Sequence, residues 1–205
     1  MIKNVIFDFG NVMVRFLPEY MTGKYVKDVE DIKLLSAVIF DRLYWDRLDA
    51  GTIEDSEVVA SCKARVPERL HGAAEDVYYN WIYNLPPVKG MVELVHELKV
   101  KYGVRVFLLS NISRYFADRE ATIPCLSEFD GRVYSAVLGF TKPGREIYEY
   151  VCKRYDIKPD EAIFIDDSEK NLTGAKACGI EGYLFDGNEK ALREFLKKKL
   201  EGAKK

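Results

Sequence analysis

The stretch "AIFIDDSEKNLTGAKACGI", residues 162–180, joins a continuous apolar run, an acidic pair and a helical pattern. Four apolar residues without polar alternation predict a strand covered on both faces, as in a parallel sheet. Asp166 and Asp167 end the run, and "EKNLTGAKACGI" continues as a helix. Strand, acidic edge and helix make half of a βαβ unit.

Working outward, the same rhythm recurs. "NVIF" (4–7), "VRVFLL" (104–109), "RVYSAV" (132–137) and "GYLF" (182–185) read as further buried strands. Between them, "GMVELVHELKVKYG" sets Met91, Leu94, Val95 and Leu98 on one helical face and stops at Gly103. "GREIYEYVCKRYD" is a second such helix. Alternating strand and helix predicts an α/β fold built on a parallel sheet.

Residues 16–87 break the rhythm. "DIKLLSAVIFDRLYWDRL", "DSEVVASCKARV" and "AAEDVYYNWIYNL" read as helices, and no strand is evident. The expected division is an α/β core of residues 1–15 and 88–205, with 16–87 inserted as a helical cap. The joints "VRFLP" and "LPPVKG" are short and suit hinges. The insertion would sit over the carboxyl ends of the strands, where open α/β sheets bind ligands.

Composition narrows the class. The chain has 205 residues, 48% hydrophobic and 31% charged, enough for a sizeable core. A net charge of −2 gives no basic field for nucleic acid or an anionic membrane. "LKKKLEGAKK" reads as a solvated helix end and frayed tail. Cys62, Cys125, Cys152 and Cys178 form no CxxC pair, and the only histidines are His71 and His96, which argues against a zinc site. Scattered cysteines, no apolar span and no signal peptide predict a soluble cytoplasmic protein.

Four polar sites follow four expected strands: Asp8, Ser110–Asn111, Lys142 and Asp166–Asp167. Each alone is ordinary. Asp serves turns, and "SN" serves as a helix cap. In a parallel sheet, however, all four strand ends open on one edge. Three clustered carboxylates repel one another, and a divalent cation removes the conflict. Oxygen ligands and a substrate phosphate suit Mg²⁺. Ser110 and loop N–H groups can donate to phosphate oxygens, and Lys142 adds fixed charge.

These motifs, in this order, resemble the haloacid dehalogenase superfamily of hydrolases. "FDFGNVMV", "LLSN", "GFTKPGREIY" and "FIDDSEKNLTGAKACGI" match its four motifs. The helical segment resembles the cap of its subfamily I, and "DRLDAGTIEDSE" resembles the α-glucose-1-phosphate phosphatase branch. The resemblance implies a Rossmann-like three-layer α/β/α fold and a Mg²⁺-dependent phosphatase acting on a small phosphorylated metabolite, such as a sugar phosphate. It makes Asp8 the nucleophile, and Ser110, Asn111 and Lys142 the phosphoryl-binding groups. Asp8, the Gly10 carbonyl, Asp166 and Asp167 become the metal set, with Asp167 on the usual ligand position and Asn171 at most an outer neighbour.

Gly10 departs from the family pattern, in which most phosphatases carry an Asp there as general acid and base. Its loss predicts a preference for good leaving groups, such as sugar 1-phosphates over 6-phosphates. Glycine there also permits a positive φ that would oppose Asp. Two other readings remain open: a cofactor-free dehalogenase in which Asp8 attacks carbon, and a weakly active binding or regulatory relative. In the cap, Arg42, Tyr44, Trp45 and Arg47 either choose the substrate, or Leu43, Tyr44 and Trp45 are cap core while the arginines solvate a helix face. Trp81 is expected to pack the cap, and both histidines to lie on helix faces.

Overall fold

The structure, a computed structural model, describes residues 1–202; Ala203–Lys205 of the expected frayed tail lie outside it. Five strands form one parallel sheet: β1 (Asn4–Phe7), β2 (Arg105–Ser110), β3 (Gly131–Tyr134), β4 (Ala162–Asp166) and β5 (Glu181–Leu184), in the order β3-β2-β1-β4-β5. β1 pairs with β2 on one side and β4 on the other, Phe7 standing opposite Leu108 and Ile165. Asp8 therefore leaves the sheet level with Asp166 and one residue short of Ser110. The strand order reverses at β1, which places these ends at the crevice where such sheets bind ligands.

The helical segment holds α1 (Pro18–Thr22), α2 (Val29–Ile39), α3 (Arg42–Asp49), α4 (Asp55–Ala64) and α5 (His71–Asn80). The sheet is flanked by α6 (Met91–Tyr102), α7 (Arg114–Ala117), α8 (Ser135–Leu138), α9 (Arg145–Tyr155), α10 (Glu169–Ala177) and α11 (Glu189–Glu201). The three-layer Rossmann-like arrangement stands as the sequence predicted.

Three local readings change. "DIKLLSAVIFDRLYWDRL" is two helices, because the Asp41 carboxylate accepts the Leu43 N–H and caps a new one. "RVYSAV" stays extended only to Tyr134; Ser135–Leu138 coil into α8, closed by Gly139 in the left-handed region. β5 is an edge strand and mostly exposed, whereas β1 and β4 are buried throughout.

One sheet face packs Ile6, Phe107, Leu109 and Phe164 against Ile147, Tyr148 and Val151 of α9. The other packs Val5, Phe7, Leu108 and Ile165 against α6 and α11, and this core runs on without a break into the helical segment. Aromatic rings carry it across: Phe9 to Phe116 at 5.0 Å, Phe116 to Trp81 at 6.0 Å, and Trp81 to Trp45 at 5.1 Å between centroids. The two joints run side by side, the Arg15 N–H donating to the Pro86 carbonyl at 2.7 Å and the Val88 N–H to Met13 at 2.9 Å.

This continuity has a measurable result. Excising residues 16–87 uncovers Phe9 and Phe116, both fully buried. Removing packing around one buried aromatic costs about 3–5 kcal/mol, against a typical domain stability of about 5–15 kcal/mol. The truncated chain should show no cooperative thermal transition. A sharp transition with native near-ultraviolet circular dichroism would show that the α/β part folds alone.

Candidate active site

Val5, Ile6 and Phe7 of β1 are apolar and fully buried, and Asp8 follows them directly at the carboxyl end of the strand. The Asp8 N–H donates to the Ile165 carbonyl at 2.8 Å, which extends the sheet by one rung. The Asp8 Oδ1 accepts from the Phe9 N–H and lies 2.7 Å from Lys142 Nζ. Neither bond engages Oδ2.

Lys142 comes from the loop between α8 and α9, with its side chain almost wholly buried. Its Nζ also meets Asp166 Oδ2 at 2.8 Å. One ammonium thus bridges two buried carboxylates. Both partners raise the Lys142 pKa, and burial opposes them. Burial pushes the Asp8 carboxyl up to about 6; Lys142 pulls it down and Asp166 pushes it further up.

Asp166 is fully buried and saturated. It accepts from Lys142, from the Ser168 N–H at 2.8 Å, and from Asn171 Nδ2 at 3.0 and 3.1 Å. A carboxylate has about four lone-pair directions, so none is left over. Asp167 is exposed and receives one bond, from Asn11 Nδ2 at 3.0 Å. Ligand atoms of Asp8, Asp166 and Asp167 lie within 4.8 Å of one another. This hard-oxygen set, with Lys142 balancing part of its charge, fits Mg²⁺. The saturation of Asp166 leaves Asp167 as the freer ligand of the pair.

Ser110 is buried at the end of β2 and lines the same cavity. Asn111 lies beside it, but its amide is engaged elsewhere. It donates to the Lys142 carbonyl at 2.9 Å and accepts the Lys142 N–H at 2.8 Å. The Asn111 side chain therefore holds the Lys142 loop in place. Asn171 meets the site through its bonds to Asp166.

The cavity, of about 340 Å³, brings together Asp8, Gly10, Ser110, Asn111, Lys142 and Asp167. Its opposite wall comes from the helical segment: Phe16, Arg42, Trp45, Asp49, Trp81 and Leu85. Trp45 is both wall and packing, its Nε1 donating to the Ile39 carbonyl at 2.6 Å. Trp81 lines the cavity as well as packing. Arg42 reaches the cavity while pairing with Asp46 at 2.7 Å. Tyr44 bonds Ser61 inside the helical segment, while Leu43 and Arg47 are exposed, so Leu43 is not core. His96 is exposed and His71 half-buried, each on a helix. Cys62 is buried and the other cysteines half-buried, all free.

Gly10 is not among the residues of positive φ; the left-handed position is Asn11, at φ 54°. A Cβ built on Gly10 meets nothing within 4 Å. The positive φ that would oppose Asp at position 10 is therefore not used there. Asn11 went unnoticed in the sequence. It tolerates left-handed backbone and ties Asp167 to the Phe16 N–H. Asp49 also went unnoticed. Its signal was a carboxylate on the buried face of α3, at Trp45 + 4.

Comparison with known proteins agrees with the geometry. A family model described as haloacid dehalogenase-like hydrolase matches residues 2–179. A sesquiterpene phosphatase, astK, of Aspergillus oryzae is 30% identical over 183 residues, covering 88% of each chain. A D-ribitol-5-phosphate phosphatase of Bacteroides thetaiotaomicron is 26% identical over 196 residues, covering 89% of this chain and 91% of its own. The crystal structure of the HAD family enzyme BT-2542 from the same bacterium, in complex with magnesium and inorganic phosphate, superposes with a TM-score of 0.66. It is 23% identical and covers 92% of this chain and 96% of its own.

Proposed function

The chain belongs to the haloacid dehalogenase-like hydrolase family, and from that premise we propose that it is a Mg²⁺-dependent phosphatase of small phosphorylated metabolites working through an aspartyl-phosphate on Asp8. The observation that carries this is the Lys142 ammonium held between Asp8 and Asp166, beside Asp167, in one cavity. The two relatives that match most of this chain's length are named phosphatases.

In the first step the Asp8 carboxylate attacks phosphorus, and the bond to the ester oxygen breaks. Lys142 orients Asp8 and balances phosphoryl charge, and the Ser110 hydroxyl donates to a phosphoryl oxygen. Asp166, Asn171 and Asn111 hold Lys142 where both tasks are possible. Water then attacks the aspartyl-phosphate and frees Asp8. Asp8, Asp167 and the Gly10 carbonyl would hold Mg²⁺, which supplies charge neutralisation at the phosphoryl group when bound.

Residues 16–87 act as a cap on the core of 1–15 and 88–205, and the cap wall selects the substrate. A cavity of about 340 Å³ is at the small end for metabolite sites, roughly 300–1,000 Å³. Phe16, Trp45 and Trp81 suit the carbon face of a sugar or polyol, with Arg42 at the polar side. Relatives named for ribitol 5-phosphate and for a sesquiterpene mark the two directions such a wall can take. Turnover across a panel of sugar, polyol and prenyl phosphates decides between them.

A cofactor-free dehalogenase has little use for the Asp166–Asp167 pair. The two readings part on metal. Hydrolysis of p-nitrophenyl phosphate should fall to background in EDTA and return with Mg²⁺. Undiminished turnover in EDTA would overturn the metal-dependent reading.

A further inference from the structure

Position 10 lacks the carboxylate that would hand a proton to the departing oxygen, but the cavity contains another carboxylate. Asp49 ends α3, and Trp45, Leu48 and Asp49 share its buried face. Asp49 is 7% exposed and lines the cavity with Asp8, Ser110 and Lys142. Among the described residues its carboxylate makes no hydrogen bond or ion pair. Among the described residues no enclosed side-chain oxygen or nitrogen lacks a partner, so the unpaired Asp49 carboxylate is not sealed in the core, and the cavity is the space that Asp49 lines.

Its position is set by the next turn. Gly51 has φ +67°, and a Cβ there would lie 2.5 Å from the Ala136 carbonyl oxygen. Only glycine lets the end of α3 press on α8 this closely, and that contact helps hold Asp49 at the cavity that Asp8 also lines. The open space at Gly10, where a carboxylate would otherwise stand, lies in the same cavity.

We propose that Asp49 is the catalytic acid and base of this enzyme, delivered by the helical segment in place of a carboxylate at position 10. This rests on the phosphatase reading above. In the first step the Asp49 carboxyl gives its proton to the ester oxygen as the P–O bond breaks and the bond from Asp8 to phosphorus forms. In the second, the Asp49 carboxylate takes a proton from water as that oxygen bonds phosphorus and the Asp8–phosphorus bond breaks. An alcohol and inorganic phosphate leave, and Asp49 is protonated again. The expected preference for sugar 1-phosphates, which assumed no acid, then disappears.

The surroundings suit the role. Burial pushes the Asp49 carboxyl from 3.8 up to about 7. Arg42 of its own helix and Lys142 pull it down, while Asp46 and Asp8 push it up. Asp167 and Lys170 also face the cavity, and α8, packed on α3, carries no titratable side chain. An acid that titrates near neutral pH can both give and take a proton.

The test uses two esters of similar shape, phenyl and p-nitrophenyl phosphate, with Mg²⁺ and single-turnover release. Phenol, with a pKa of about 10, needs protonation as it leaves; nitrophenol, far more acidic, needs little. Asp49→Asn should slow phenol release by about 100-fold or more, and nitrophenol release by less than about tenfold. In wild type the ratio of phenol to nitrophenol release should fall as pH rises through about 7. That measurement stands even if Asp49→Asn does not fold. Equal losses on both esters, no loss on either, or a ratio flat from about pH 5 to 9 overturns the role of Asp49. Wild type that cleaves neither ester overturns the phosphatase reading itself.

Discussion

Asp8→Asn brings turnover of p-nitrophenyl phosphate to background while the protein stays folded. The amide oxygen can still accept from the Phe9 N–H and from Lys142, which hold Asp8 Oδ1 at 2.7 Å each. What is lost is the anionic nucleophile. Removing a nucleophile costs on the order of 10⁴–10⁶ in rate. The fold should survive because an uncharged group at this buried position escapes the penalty that pushes Asp8 up to about 6. Steady-state rates, read beside a thermal melt, check both halves. Near-normal turnover in a folded Asp8→Asn would exclude an aspartyl-phosphate.

Lys142→Ala should damage both activity and stability. Lys142 is the only ion-pair partner of Asp8 and Asp166 among the described residues, at 2.7 and 2.8 Å. Its loss leaves two buried carboxylates facing each other. Breaking a buried pair from one side costs about 3–5 kcal/mol. In a chain of this size that lowers Tm by roughly 6–20 °C. Turnover should fall by about 10³-fold or more, since the fixed charge on the phosphoryl group goes too. Mg²⁺ should recover part of the stability by binding the carboxylate cluster of the folded state. Lys142→Arg should rescue little, because the buried slot is built for a compact ammonium. A Lys142→Ala protein with the wild-type Tm would show that Asp8 and Asp166 find other compensation.

Much of this was legible without coordinates. β1, β2 and β4 could be read because strands buried on both faces are written as continuous apolar runs. The polar residues that end them must then meet on one sheet edge. Asp8, Ser110, Asp166 and Asp167 follow from that alone; Lys142, expected at the end of β3, instead enters from the loop after α8. β3 was overread because "SAV" after "RVY" is as apolar as a strand; only Gly139 in the left-handed region shows that the chain has already turned into α8. β5 was misjudged for a different reason, since an apolar run does not say whether its strand will be central or at an edge.

The sequence by itself determined the α/β plan, the helical interruption and the strand-end residues, because each depends on local patterns and on one property of parallel sheets. Only the tertiary structure decided how those residues share the work. Asp166 and Asp167 are neighbours in sequence, yet one is saturated by Lys142, Asn171 and the Ser168 N–H while the other keeps a free oxygen. Asn111, expected on the substrate, is taken up by the backbone of a residue 31 positions away. The carboxylate absent at Gly10 has a counterpart in Asp49, which reaches the cavity because Gly51 lets α3 touch Ala136. Such contacts join residues distant in the chain through backbone shape, which no local pattern of side chains records.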